Sequence, residues 1–214
     1  LLADEINRTS PKTQSALLQI MEEYRVTVDG ETYDLPEPFM VIATQNPIGS
    51  IGTQKLPESQ MDRFMVKLSM GYPSVEDEIT IMKSRSENDK RKILSECVLD
   101  NGDIQAIKEA VSDIYVDDSI YEYVANIVDK TRHRENIIQG VSPRGSISII
   151  SMAKAEAFLR GNEYVLPSDI KNIAVETLAH RLITNVAGAA GNEAAKKEIT
   201  DILRMIPVPK MQEK

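Results

Sequence analysis

The chain has 214 residues, of which 42% are hydrophobic and 27% charged, values usual for a soluble globular protein with enough apolar residues for a core. Lys plus Arg number 25 and Asp plus Glu 33, leaving a net charge of −8. That balance lacks the electrostatic footprint of a nucleic-acid binder, so no nucleic acid is expected as a partner. A single cysteine, Cys97, and two histidines, His133 and His180, exclude an internal disulfide, a multi-cysteine zinc site and a His-rich metal site. No apolar run approaches the roughly 18 residues of a membrane span. The chain opens on LLADE with no basic segment ahead of an apolar stretch, so no secretory signal is expected and the expected setting is cytoplasmic.

Residues 1–72 alternate strand and helix signals. LLADE (1–5) reads as the end of a buried strand running into acid. Ser10-Pro11 is a helix start, with Ser suited to the N-cap and Pro to the first turn. Leu17, Leu18 and Met21 then follow at helical spacing. In RVTVDGETYDL (25–35), Asp29-Gly30 predicts a tight hairpin turn, and Pro36 and Pro38 close it. PFMVIAT (38–44) is a continuous apolar run, as for a strand covered on both faces, and it ends in Gln45-Asn46-Pro47. A Gly-containing loop (48–57) leads to a short helix around Glu58–Phe64, and MVKLSM (65–70) reads as another strand.

From Ser74 the period becomes helical. Ser74 with Asp77 makes a capping pattern before Ile79 and Met82. Ile104, Ile107, Val111 and Ile114 mark one helix, and Ile120, Tyr123, Val124, Ile127 and Val128 mark another. Pro143 and Pro167 each open a further helix. A Gly/Ala-rich stretch (187–195) precedes a short last helix and a frayed tail. The expected boundary gives an α/β segment, 1–73, and an all-α segment, 74–214. Cys97 and most methionines are expected to be buried filler. His180-Arg181 is expected to be structural or at an interface, and Lys90-Arg91-Lys92 a solvated loop.

Four features carry candidate chemistry. Asp4-Glu5 pairs two carboxylates at a strand end, where one suits Mg²⁺ through water and the other suits a base that activates water. Two solvated acids are the plain alternative. Asn46 follows an apolar strand and is placed to touch a phosphate or its attacking water, or else is a turn residue before Pro47. Arg63 in LPESQMDRF suits an arginine finger, or else an ion pair with Asp62 or Glu58. Arg144 in GVSPRGS lies in the first turn of a helix, against the dipole; it either faces an anion or points to solvent.

The order LLADEIN, helix, hairpin, VIATQNP, LPESQMDRF and, after several helices, SPRGS resembles the MoxR branch of AAA+ ATPases. The connecting text PKTQSALLQIMEE, VTVDGETYDLPEPFMVIATQNP, GNEYV-P-SDI and LAHRL extends the match to about residue 184. The resemblance implies an α/β P-loop NTPase (AAA+) core, truncated at its N-terminal side, followed by an all-α lid. It implies ATP and Mg²⁺ as cofactors. Asp4 would be the Walker B acid toward Mg²⁺, Glu5 the catalytic base, and Asn46 sensor 1. Arg63 would be the finger offered to an adjacent subunit, and Arg144 sensor 2. It further implies a homo-oligomeric ring, a hexamer, that remodels or activates a protein partner, often one with a von Willebrand factor A domain. The hairpin at Asp29-Gly30 resembles the pre-sensor-1 hairpin, which in related rings faces the centre and a substrate.

Three departures stand out. No G-x-x-x-x-G-K-[ST] occurs, so the phosphate cradle and its lysine are absent from this sequence and the isolated chain is expected to be inactive. Leu166 stands where a Thr cap is expected, a loss of about 1 kcal/mol. Gly-Ser-Ile-Gly (49–52) is unlike the family's acidic loop. Two other readings remain: a non-catalytic adaptor that docks a partner through the helical half, and a magnesium-chelatase-like AAA+ subunit.

Overall fold

The computed structural model describes residues 1–46, 56–86, 97–186 and 189–209. The expected loop at 49–52, Pro47 and the basic run 90–92 lie outside the described residues.

β1 (Leu2–Ala3) pairs in parallel with β4 (Ile42–Ala43), Leu2 opposite Ile42 and Ala3 opposite Ala43. Beyond β1 a 3-10 turn, Ile6–Arg8, leads into α1 (Pro11–Glu23). Ser10 caps α1 as its sequence signals: its side chain accepts the Thr13 N–H at 3.2 Å, with Pro11 in the first turn. Tyr24 ends α1 at φ 52°, and the chain turns into the hairpin of β2 (Arg25–Val28) and β3 (Glu31–Asp34). Asp29 and Gly30 have φ of 52° and 87°, the two positive values that a type I′ turn needs. α2 (Glu58–Met61) is a single turn, and residues 62–64 leave it without continuing the helix.

The apolar strands are not buried as the sequence suggests. Leu2 and Ile42 are 66% and 54% exposed, and Met40 is exposed too. Ala3, Val41 and Ala43, which alternate with these residues, are half-buried, so the two-stranded β1–β4 ladder is covered on one face and open on the other. Residues 65–70 form no strand; Leu68 and Met70 are exposed, and the Lys67 N–H bonds the Glu176 carbonyl at 3.0 Å. A β-strand exists only with a ladder partner, and here that amide is taken by a helix end instead.

The hydrophobic cluster lies between Ile114 and Ile202. α3 (Val75–Ser86) and α4 (Asn101–Asp113) start at Ser74 and Asp100, each of which accepts the N–H three residues on. The core is built by α5 (Asp118–Arg132), α6 (Pro143–Leu159), α7 (Pro167–Leu178) and α8 (Ala189–Met205). The α5 stripe Ile120, Tyr123, Val124, Ile127 and Val128 is buried as its period demands. It meets Ile149 of α6, Ile170 of α7 and Ile199 and Ile202 of α8, each fully buried and each stabilising by roughly 2 kcal/mol. Ala153 and Ala157 on α6 are small and fully buried, which lets α7 approach closely. β5 (Ile137–Gln139) and β6 (Ile183–Thr184) form a short antiparallel pair beside this bundle.

Three further expectations are corrected, and the missing cap at Leu166 is seen as expected. α8 is 17 residues long and takes in the latter part of the Gly/Ala-rich stretch rather than following it. Cys97 is exposed, its Sγ donating to the Leu99 carbonyl at 3.1 Å beside the exposed Val98 and Leu99. Met40, Met65, Met70 and Met82 are exposed because their segments lie outside the bundle, and Met205 is exposed at the last residue of α8. α7 keeps half of a capping box without a Thr: the buried Asp169 carboxylate accepts the Leu166 N–H at 2.8 Å. Among the described residues no helix is long and apolar enough to cross a membrane.

Candidate active site

The β1–β4 register brings Asp4, Glu5 and Asn46 to one end of the ladder. Thr44, one residue beyond β4, ties the acids together: its hydroxyl donates to Asp4 Oδ1 at 2.5 Å and accepts the Glu5 N–H at 2.9 Å. Glu5 takes the left-handed conformation, φ 48° and ψ 47°, which costs an L-residue roughly 1 kcal/mol and turns its side chain out of the strand's alternation. Its carboxylate lies 3.2 Å from Arg8, an exposed pair that contributes little stability. Asn46 is held through its backbone by the buried Asn7. The Asn7 amide donates to the Asn46 carbonyl at 3.1 Å, and its Oδ1 accepts the Asn46 N–H at 3.4 Å.

The arginines gather elsewhere. Arg63 pairs with Glu22 Oε2, and Arg144 donates to Glu22 Oε1 at 2.5 Å. Arg63 therefore pairs with neither Asp62 nor Glu58, and Arg144, in the first turn of α6, faces an anion, the Glu22 carboxylate. Glu22 stands near the C-terminal end of α1, while Asp4, Glu5 and Asn7 precede its N-terminal end. At 1.5 Å per residue α1 spans roughly 16 Å from Pro11 to Glu22, and Gln45, next to Asn46, reaches Met61 Sδ at 3.8 Å. A cleft of about 310 Å³ lies against the arginines, lined by Glu58, Asp62, Ser142 and Arg181 among others.

Arg181 is the buried partner that anchors this region. Its Nε donates to the Thr177 carbonyl at 2.9 Å and its Nη1 to Asp62 Oδ1 at 2.6 Å and to the Asp62 carbonyl. Its Nη2 donates to the Phe64 carbonyl at 2.8 Å and to Ser148 Oγ at 3.0 Å. Burial lowers the Arg181 pKa and Asp62 opposes that shift. Residues 62 and 64 are thus clamped while Arg63 between them points to Glu22. Ser142 adds a bond to Asp62 Oδ2 at 2.8 Å. His180 Nε2 donates to the Phe64 carbonyl at 3.0 Å; burial, and next the Arg181 charge, hold its pKa down to about 4, so it is neutral near pH 7. Gly145, next to Arg144, leaves room for all this: a Cβ there would meet Val141 Cγ1 at 2.3 Å and Arg181 Cδ at 3.0 Å.

Among the described residues no group of three or more His, Cys, Asp or Glu could hold a metal ion. Asp4, exposed and backed by a hydroxyl, is instead an all-oxygen partner of the kind Mg²⁺ uses when phosphates and water supply the remaining ligands. Thr44, Asn7, Glu22 and Asp62 were not singled out as site residues by the sequence. Thr44, Asn7 and Asp62 lie inside quoted motifs, Thr44 and Asn7 two residues from Asn46 and Glu5; Glu22 lies in the connecting text PKTQSALLQIMEE, where nothing local points to the two arginines.

Residues 1–66 match the model of the ATPase family associated with various cellular activities, and residues 129–202 match that of the AAA lid domain. The chaperone MoxR1 of Mycobacterium tuberculosis is 36% identical over 220 residues. The chain belongs to the MoxR-type AAA+ ATPases. It is also 45% identical over 209 residues to YeaC of Bacillus subtilis, whose function is uncharacterised. The crystal structure of a “putative ATPase” from Cytophaga hutchinsonii superposes with a TM-score of 0.87 at 36% identity. The chain is matched over 98% of its length by YeaC, 99% by MoxR1 and 98% by the Cytophaga protein, and spans 65%, 58% and 66% of them. Its fold is that of an AAA+ α/β core segment followed by a helical AAA+ lid.

Proposed function

We propose that the protein containing this chain hydrolyses ATP and couples the reaction to remodelling or activating a protein partner. The observation that carries the reading is the β1–β4 register, which sets Asp4, Glu5 and Asn46 at one ladder end with Thr44 and Asn7 fixing their backbones. In this reading residues 1–73 belong to the ATPase core and 74–214 to the lid. Asp4 would hold Mg²⁺, which when bound with ATP would neutralise phosphate charge. Glu5, turned out of the strand, takes the proton of the attacking water, and Asn46 orients that water. Arg63 and Arg144 neutralise charge on phosphoryl oxygens.

The roughly 16 Å that α1 spans from its acid end to its arginine end supports a site completed between neighbouring copies, one copy supplying acids and the next supplying arginines. That arrangement fits a homo-oligomeric ring, with a hexamer the expected count. The exposed β2–β3 hairpin is the element offered to a protein substrate, and a von Willebrand factor A domain protein is the expected partner class. The name of MoxR1, a chaperone, supports that direction. The proposed setting is cytoplasmic. A phosphate cradle is required from outside the 214 residues, so the chain by itself hydrolyses ATP negligibly.

The test is Glu5→Gln in the full-length protein. ATP binding is retained and turnover falls by about two to four orders of magnitude, the share of a positioned base and its water. A turnover equal to that of the parent protein overturns the assignment.

A further inference from the structure

Among the described residues, Glu22 pairs with both Arg63 and Arg144, and it comes from a third element. The partners lie 41 and 122 residues away in sequence, so tertiary packing alone makes the group. Each carboxylate oxygen takes one guanidinium. Two guanidinium groups set around two oxygens is also the arrangement that suits a phosphate.

We propose that Glu22 is an internal competitor for phosphate: Arg63 and Arg144 form an anion site that a multiply charged phosphate takes by displacing the Glu22 carboxylate. The inference rests on the reading of these arginines as phosphate-facing groups. Three observations support displacement over a permanent bridge. First, the three side chains are 33–44% exposed, so solvent screens the pairs and little is lost on opening them. The Arg181–Asp62 pair beside them is different, at 1% and 23%, and acts as the fixed anchor. Second, that anchor grips residues 62 and 64, which holds the Arg63 backbone while leaving its side chain able to change partner. Third, Arg144 stands in the first turn of the 17-residue α6, where the helix dipole favours an anion, beside a cleft of about 310 Å³. Glu22 therefore keeps the two arginines assembled and sets a threshold: a singly charged anion exchanges for it without gain, while a multiply charged one gains.

The experiment is calorimetric titration of inorganic pyrophosphate into the chain at low salt. Glu22→Gln removes the competing charge and keeps the shape, and is expected to bind roughly three- to tenfold more tightly than the parent chain. Glu23→Gln, one residue along, is expected to bind as the parent does. Arg63→Gln with Arg144→Gln removes the binding. A Glu22→Gln affinity equal to or weaker than the parent's, or no pyrophosphate binding by any form, overturns the proposal. A second readout needs no variant: in NMR spectra of the parent chain the Nε–H signals of Arg63 and Arg144 shift with pyrophosphate, and unmoved signals overturn it. Neither readout involves ATP turnover, so failure here leaves the Glu5 test standing, and failure there leaves this one standing.

Discussion

Arg181→Met is the perturbation whose size the structure defines best. The parent side chain spends all its donors: on the Thr177, Asp62 and Phe64 carbonyls, on Asp62 Oδ1 at 2.6 Å and on Ser148 Oγ at 3.0 Å. Methionine fills much of the same volume and donates nothing. Removing one partner of a buried ion pair costs about 3–5 kcal/mol, because the other charge is left without compensation. Asp62 is 23% exposed and keeps its bond from Ser142, which lowers the expected loss to about 2–4 kcal/mol. Arg181→Lys retains the charge and loses the fork, with an expected loss of about 1–2 kcal/mol. Urea unfolding followed by circular dichroism measures both. A local readout accompanies it: the Lys67 amide, bonded to the Glu176 carbonyl at 3.0 Å, exchanges its hydrogen faster once residues 62–64 come loose. An Arg181→Met chain within about 0.5 kcal/mol of the parent, with Lys67 exchange unchanged, refutes the anchoring role.

Two further outcomes are expected. His180 has a folded pKa of about 4 against an ordinary 6.5, so the unfolded chain binds its proton first. Its contribution is present above pH 6.5 and is lost as pH falls toward 4, by up to about 3 kcal/mol, and His180→Gln flattens that part of a stability profile measured against pH. Gly145→Ala drives a Cβ into Val141 and Arg181, and is expected to cost about 1–3 kcal/mol in urea unfolding; a neutral substitution shows the contact to be soft.

The local devices were legible because each is written within a few residues. Ser10 with Pro11, Asp29 with Gly30, Ser74 with Asp77 and the α5 stripe depend on spacings of one to eight positions, and all appear as their chemistry dictates. The motif order made the family recognisable for the same reason: each motif is a short run at a strand or helix end. Asp4, Glu5 and Asn46 do converge, since a parallel register between two apolar strands leaves few choices for where their ends meet.

The sequence by itself determined the caps, turns, helix faces and family. What covers a strand was decided elsewhere. Residues 65–70 carry the apolar content of a strand but have no ladder partner among the described residues, and Leu2 and Ile42 remain exposed although their runs read as buried. Partner choice between distant charges was also outside its reach. Arg63 has Asp62 and Glu58 close in sequence, yet it meets Glu22; Asp62 is taken by Arg181, 119 residues away. Only the tertiary structure decided those pairings, because a helix or turn signal acts over a single turn, whereas a guanidinium takes whichever carboxylate the packed helices bring within about 3 Å.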